Sequence, residues 1–145
     1  MAGRAVHGCG EGDGKVKWEP TKTPSFTPAE MACKCGCGKS DMDHAFMLKL
    51  QAVRDVVGPL GVSSGYRCPE YNQSVSSTGL DGPHTTGKAV DIRCSGNLAH
   101  AVLMQAMFHV FTGIGVAQKG PHGSRFIHLD TLTPDEAPRS WVWSY

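Results

Sequence analysis

Apolar positions along the chain follow two periods. Phe46, Met47, Leu50, Val53 and Val57 recur at helical spacing, with Asp41 or Asp43 as a cap before them and Gly58-Pro59 as a stop after them. A second helical run, NLAHAVLMQAMFHVF at 97–111, ends by Gly113. Elsewhere the period shortens to two. KAVDIRC at 88–94 alternates and is β-branched, and GIGVAQ, SRFIHLDTL and WVWSY predict three later strands, with GVSSGYR at 61–67 as a short earlier one. Thr27 ahead of Pro28 and Glu30 marks a short capped helix, and Pro69 opens a helical turn through Tyr71, Asn72 and Val75. SSTGLDGPHTTG, at 76–87, has no period and reads as a long, turn-rich loop. Helices lead and strands dominate the second half, which predicts an α+β fold: a small antiparallel sheet with helices packed on it. Residues 1–23 show no apolar periodicity and predict a flexible leader, leaving 24–145 as one domain.

Composition narrows the function. A chain of 145 residues can bury its own core without metal or disulfides. Its net charge of +1 gives no electrostatic footprint for nucleic acid. It lacks an apolar run of about 18 residues, which excludes a membrane-spanning helix. The first residues hold no apolar segment of the secretory type, so synthesis in the cytoplasm is expected. Of six cysteines, Cys33, Cys35 and Cys37 form CKCGC, while Cys9, Cys68 and Cys94 are scattered. Structural zinc sites usually pair two knuckles, and this one has no second. Small buried residues or a single disulfide are therefore the expectation.

Two segments carry chemistry. In GPHTTGKAVDIRC, Gly87 lets the chain turn between His84 and Asp91 without a Cβ penalty, so both side chains can converge. Asp91 lies mid-strand, sharing a face with Ala89 and Arg93, and a carboxylate there must be solvated, paired or bound to a cation. In RFIHLD, His128 and Asp130 share one strand face while Ile127 and Leu129 enter the core. Taken singly, each pair also fits an ordinary capped or salt-bridged surface. Together, His84, Asp91 and His128 supply three mixed ligands and leave a fourth tetrahedral position open, the mark of a catalytic zinc site. Asp130 supplies a carboxylate for proton transfer.

SSGYRCPEYN, HTTGKAVDI, FIHLDT and the terminal RSWVWSY together resemble the zinc peptidases of peptidoglycan, which include D-Ala-D-Ala carboxypeptidases, dipeptidases and phage endolysin peptidases, and which share a fold with the hedgehog signalling domain. The resemblance spans roughly residues 24–145. It implies His84, Asp91 and His128 as zinc ligands, with manganese or cobalt suited to the same donors. It implies Arg67 as the cation that steadies the scissile carbonyl; without it, Arg67 reads as a surface partner of Glu70. Several relatives carry an acid three residues before the last histidine, where this chain has Arg125. Asp130 is the expected base, with His122 the alternative. His7, His44, His100 and His109 are expected to lie away from metal. Trp141 and Trp143 share a strand face and are expected in the core, with the cleft wall as the alternative.

The function so implied is hydrolysis of an amide in the peptidoglycan stem peptide or crosslink by a monomeric phage endolysin, released to the wall through holin damage. The alternatives are a non-catalytic, metal-bearing murein-binding or virion module and an intracellular D-Ala-D-Ala dipeptidase.

Overall fold

The computed structural model describes residues 16–145. Its helices are α1 (Pro28–Met31), α2 (His44–Val57), α3 (Pro69–Val75) and α4 (Gly96–Phe108), and its strands are β1 (Gly61–Ser64), β2 (Ala89–Arg93), β3 (Gly113–Ala117), β4 (Phe126–Asp130) and β5 (Trp141–Ser144). The strands form one sheet in the order β1-β2-β4-β3-β5. The first four strands pair antiparallel, as the α+β reading expects. β5 joins the edge beside β3 in parallel, a pairing that local periodicity cannot reveal.

The caps form where the sequence places them. Thr27 and Glu30 exchange side-chain and backbone hydrogen bonds in a capping box at α1. The Asp43 carboxylate accepts the Phe46 N–H at 2.9 Å to start α2, which stops at Gly58 with φ 91°. α4 ends at Phe108, earlier than its apolar run suggests, and leaves Met104, Met107 and Phe108 exposed. Phe46, Met47, Leu50 and Val53 of α2 and Val102 and Ala106 of α4 are buried in one core with Val90, Ile92, Ile127 and Leu129 of the sheet. Each large aliphatic side chain removed from water in this layer contributes about 1.5–3 kcal/mol. That anchoring fixes the strand register, so alternate residues of β2 and β4 must point to the opposite face.

The segment 1–23, expected to be a flexible leader, is described only from residue 16 onward. Its residues 1–15 lie outside the described residues, and the last few of the segment are docked. Trp18 is only 5% exposed and its indole N–H donates to Thr23 Oγ1 at 2.8 Å. The His44 N–H donates to Val16 O at 3.1 Å, and the Lys17 backbone forms an isolated antiparallel β-bridge with Asp43. A single indole without periodic neighbours anchors this segment, so a search for amphipathic period passes over it.

Candidate active site

Sheet register builds the site as one transverse row. Asp91 of β2 pairs with Ser64 of β1 on one side and with His128 of β4 on the other; His128 in turn pairs with Gly115 of β3, and Gly115 with Trp143 of β5. A parallel row holds Ala89, Asp130, Gly113 and Trp141. The two glycines of β3 are needed for space. A Cβ at Gly115 would stand 2.6 Å from Trp143 Nε1, and one at Gly113 would fall inside the Asp130 carboxylate. Their absence of side chains lets Trp143 close over His128, with ring centres 5.1 Å apart.

His84 reaches this row from outside the sheet. It lies in a 3-10 turn, Pro83–Thr86, ended by Gly87 in the left-handed region at φ 77°. The turn is stitched to the segment after β1, where the Arg67 N–H donates to His84 O at 3.1 Å. His84 and Asp91, expected to converge through Gly87, do so: His84 Nε2 lies 3.3 Å from Asp91 Oδ1. His128 Nδ1 lies 3.0 Å from the same oxygen. One donor atom from each of the three residues falls within 4.8 Å of the others.

The far nitrogen of each imidazole decides what the near one presents. His84 Nδ1 is 2.8 Å from the carbonyl of Gly65, which can only accept, so Nδ1 carries the proton. His128 Nε2 is 2.8 Å from Asp130 Oδ2, and a carboxylate there likewise accepts a hydrogen bond from the ring N–H, so Nε2 carries the proton. In these neutral tautomers, two imidazole lone pairs and a carboxylate face one another. Three acceptors so close together require a cation between them or extra protons on the rings. A carbonyl or carboxylate behind the outer nitrogen of each histidine is the arrangement that orients metal-binding imidazoles. The donor set therefore fits a divalent ion of the zinc type.

The charged groups of the row set one another's ionisation. Burial pushes the Asp91 carboxyl up, but hydrogen bonds with His128 and His84 outweigh it and hold the group well below the usual carboxylate range. Burial lowers the proton affinity of His128, and Asp130 and Asp91 more than reverse that, so the ring's pKa is raised. Asp130 is 0% exposed, with Arg139 Nε 2.8 Å from Oδ1, Arg139 Nη2 2.6 Å from Oδ2 and the Leu132 N–H 3.3 Å from Oδ1. Burial again works against ionisation, but Arg139 and then His128 bring Asp130 down to about 2. Its stabilising contribution is fully present above its ordinary value of 3.8 and is lost only as pH falls towards 2.

A cavity of about 800 Å³, open to solvent, lies over the row. His84, Asp91 and His128 form its floor, Arg67 and Arg139 bring two cations to it, and Trp143 stands in its wall. Arg67 is held at 3.0 Å from both Ser64 Oγ and Asn72 Oδ1, and its Nη2 lies 3.7 Å from Asp91 Oδ2. A rigid guanidinium beside a metal-type donor set in an open, polar-floored cleft can polarise a carbonyl and neutralise the charge that develops on it.

The family model described as Peptidase M15 matches residues 24–130. The chain belongs to the peptidase M15 family. No curated protein matches the sequence. Membership makes the chain a metallopeptidase of the type that includes the D-Ala-D-Ala carboxypeptidases, and its sheet and helices are those of an M15-type fold. M15 peptidases typically depend on zinc, and His84, Asp91 and His128 form a group in the cleft that could hold such an ion. No helix among the described residues is long and apolar enough to cross a membrane.

The M15 match stops at Asp130, so the wall built by residues 137–145 lies beyond it. That wall differs from expectation. Trp141 and Trp143 line the cavity rather than the core, with Trp141 56% exposed, because the parallel edge strand faces them towards the cleft. Asp130, expected to take a proton from the reacting centre, is sealed behind His128 and is absent from the cavity lining. His122 is exposed and does not line the cavity either, and Arg125 is turned away, donating to Gly120 O. His44 accepts the Glu19 N–H at 3.3 Å, and neither His100 nor His109 lines the cavity. Arg139 and Tyr145 were not singled out from the sequence. Arg139 stacks at 5.2 Å on the Trp143 ring while gripping Asp130. The arginine in RSWVWSY, nine residues after Asp130, is the signal for that grip, but only the fold brings the two together.

Proposed function

We propose that this M15 chain is a zinc-dependent peptidase that cleaves an amide of the peptidoglycan stem peptide or crosslink, and that it serves as a phage endolysin, made in the cytoplasm and reaching the wall after holin damage. The observation that carries the reading is the convergence of His84 Nε2, Asp91 and His128 Nδ1 on the floor of an open cleft. His84, Asp91 and His128 would hold the zinc, which when bound supplies a Lewis acid and acidifies water. Arg67 would stabilise charge developing on the scissile carbonyl oxygen. Asp130 would act as a positioning residue, keeping the His128 proton on Nε2 and the lone pair on Nδ1. The open mouth, with exposed Trp141 at its edge, favours a segment of polymer over a small free dipeptide, which would call for an enclosed pocket.

Digestion of purified peptidoglycan by zinc-loaded and EDTA-stripped protein, with products read by mass spectrometry, tests the reading. Zinc-restorable release of peptide fragments is expected, and the fragment masses name the bond. Intact sacculi in the presence of bound zinc would overturn it, and hydrolysis of free D-Ala-D-Ala alone would mark an intracellular dipeptidase instead.

The positioning role of Asp130 has its own readout. Asp130→Asn keeps the shape but supplies an amide behind His128, and zinc affinity should fall about 10–100-fold, as is typical when such outer partners are lost. A zinc-chelator competition titration measures this. Unchanged affinity with lost hydrolysis would return Asp130 to direct proton transfer.

A further inference from the structure

Away from the cleft, four cysteines converge. Cys33, Cys35 and Cys37 lie in the turn after α1, and Cys68 caps α3. Cys33 Sγ is 3.4 Å from Cys35 Sγ and 3.7 Å from Cys68 Sγ, and Cys35 and Cys68 are 3.8 Å apart. All four sulfurs lie within 4.8 Å of one another. Zinc–sulfur bonds of about 2.3 Å in a tetrahedron set neighbouring sulfurs about 3.8 Å apart. These separations are far longer than the ~2.05 Å of a disulfide, and Cys33, Cys35 and Cys37 are thiols rather than disulfide-bonded. Cys68 is disulfide-bonded in this structure.

The local backbone suits an ion. Gly36 and Gly38 take φ values of 94° and 79°, curling CKCGCG so that cysteines two apart face a common centre rather than spreading along a strand. The turn is closed by the Cys33 N–H donating to Lys39 O at 2.7 Å. The Cys68 N–H points at Cys33 Sγ at 3.3 Å, the kind of contact that spreads the negative charge of a thiolate. The missing second knuckle, whose absence argued against metal in the sequence, is replaced by a single cysteine contributed by α3.

We propose that, in the reduced protein, Cys33, Cys35, Cys37 and Cys68 hold a structural zinc ion distinct from the cleft. Two equivalents of a small thiol reduce the Cys68 disulfide and leave as their own disulfide. The four thiols then release four protons as they bind the ion. Four protein sulfurs leave no open position, so the site is structural and not catalytic. Its position gives it a purpose. It clamps the turn after α1 to the start of α3, next to Arg67 and to the Gly65 carbonyl that orients His84. The same segment is held by the Tyr66 N–H donating to Met31 O at 2.9 Å.

The test uses the full chain purified under a thiol reductant, with zinc counted by mass spectrometry and cobalt substituted for absorption spectroscopy. The His84→Ala/His128→Ala double variant, which separates this site from the cleft, should retain one zinc per chain and, with cobalt, an intense thiolate-to-cobalt charge-transfer band. Cys37→Ser in that background should lose both. Should Cys37→Ser fail to fold, a mercurial titration of the double variant should release one zinc per chain as its thiols are consumed. No zinc in the double variant, a cobalt spectrum without the thiolate band, or a Cys68 disulfide that persists under reductant would overturn the proposal.

Discussion

Replacing His128 with alanine is expected to strip the cleft of its metal and to lower hydrolysis of peptidoglycan by roughly 10³-fold or more, since a Lewis acid supplies several kcal/mol and each ~1.36 kcal/mol is a factor of ten. His84→Ala should do the same. Neither change should unfold the chain. Truncating His128 leaves Asp130 still gripped through both oxygens by Arg139, so no buried carboxylate is left unpaired. Truncating His84 frees the buried Gly65 carbonyl, and the space left by the imidazole, which itself lines the cavity, gives water a route to it. Near-ultraviolet circular dichroism and thermal melting report the fold, and peptide release reports activity. A folded variant with wild-type hydrolysis would remove His84, Asp91 and His128 from the chemistry. An unfolded one would show instead that the histidines hold the sheet together.

The fold and the metal-type cluster were legible for a shared physical reason. The core is a period-two sheet under period-3.6 helices, and once Val90, Ile92, Ile127 and Leu129 are assigned inward, Asp91, His128 and Asp130 can only face the other way. Gly87 then explains the return of His84. What stayed hidden depends on long-range geometry. The parallel placement of β5 puts Trp141 and Trp143 over the cleft, and no alternation within WVWSY distinguishes that face from a core face. The burial of Asp130 depends on Arg139 arriving from across a ten-residue connection. The convergence of Cys68 with CKCGC spans 31 residues between Cys37 and α3, so neither segment alone carries the signal. Trp18, a lone anchor in an aperiodic stretch, was missed because period is the only cue such a search uses.

The second large effect is expected at Arg67. Arg67→Ala should lower kcat by about 10²–10³-fold, the range found when a preorganised donor to a developing oxyanion is removed, with a smaller change in KM. The argument rests on how firmly the guanidinium is held. Ser64 and Asn72 fix two of its nitrogens at 3.0 Å, and Nη2 stands 3.7 Å from Asp91, close enough to face the same ligand position without closing a tight ion pair. A group fixed in advance need not reorganise as charge develops, which is where its catalytic advantage lies. Arg67→Lys keeps the charge and gives up the planar fork, so it should recover only part of the lost rate. Steady-state kinetics on a soluble stem-peptide substrate separate the cases. A rise in KM with kcat unchanged would make Arg67 a ground-state clamp on a substrate carboxylate. Loss of zinc in Arg67→Ala would instead make it a support for Asp91, acting through the metal ligands rather than on the carbonyl.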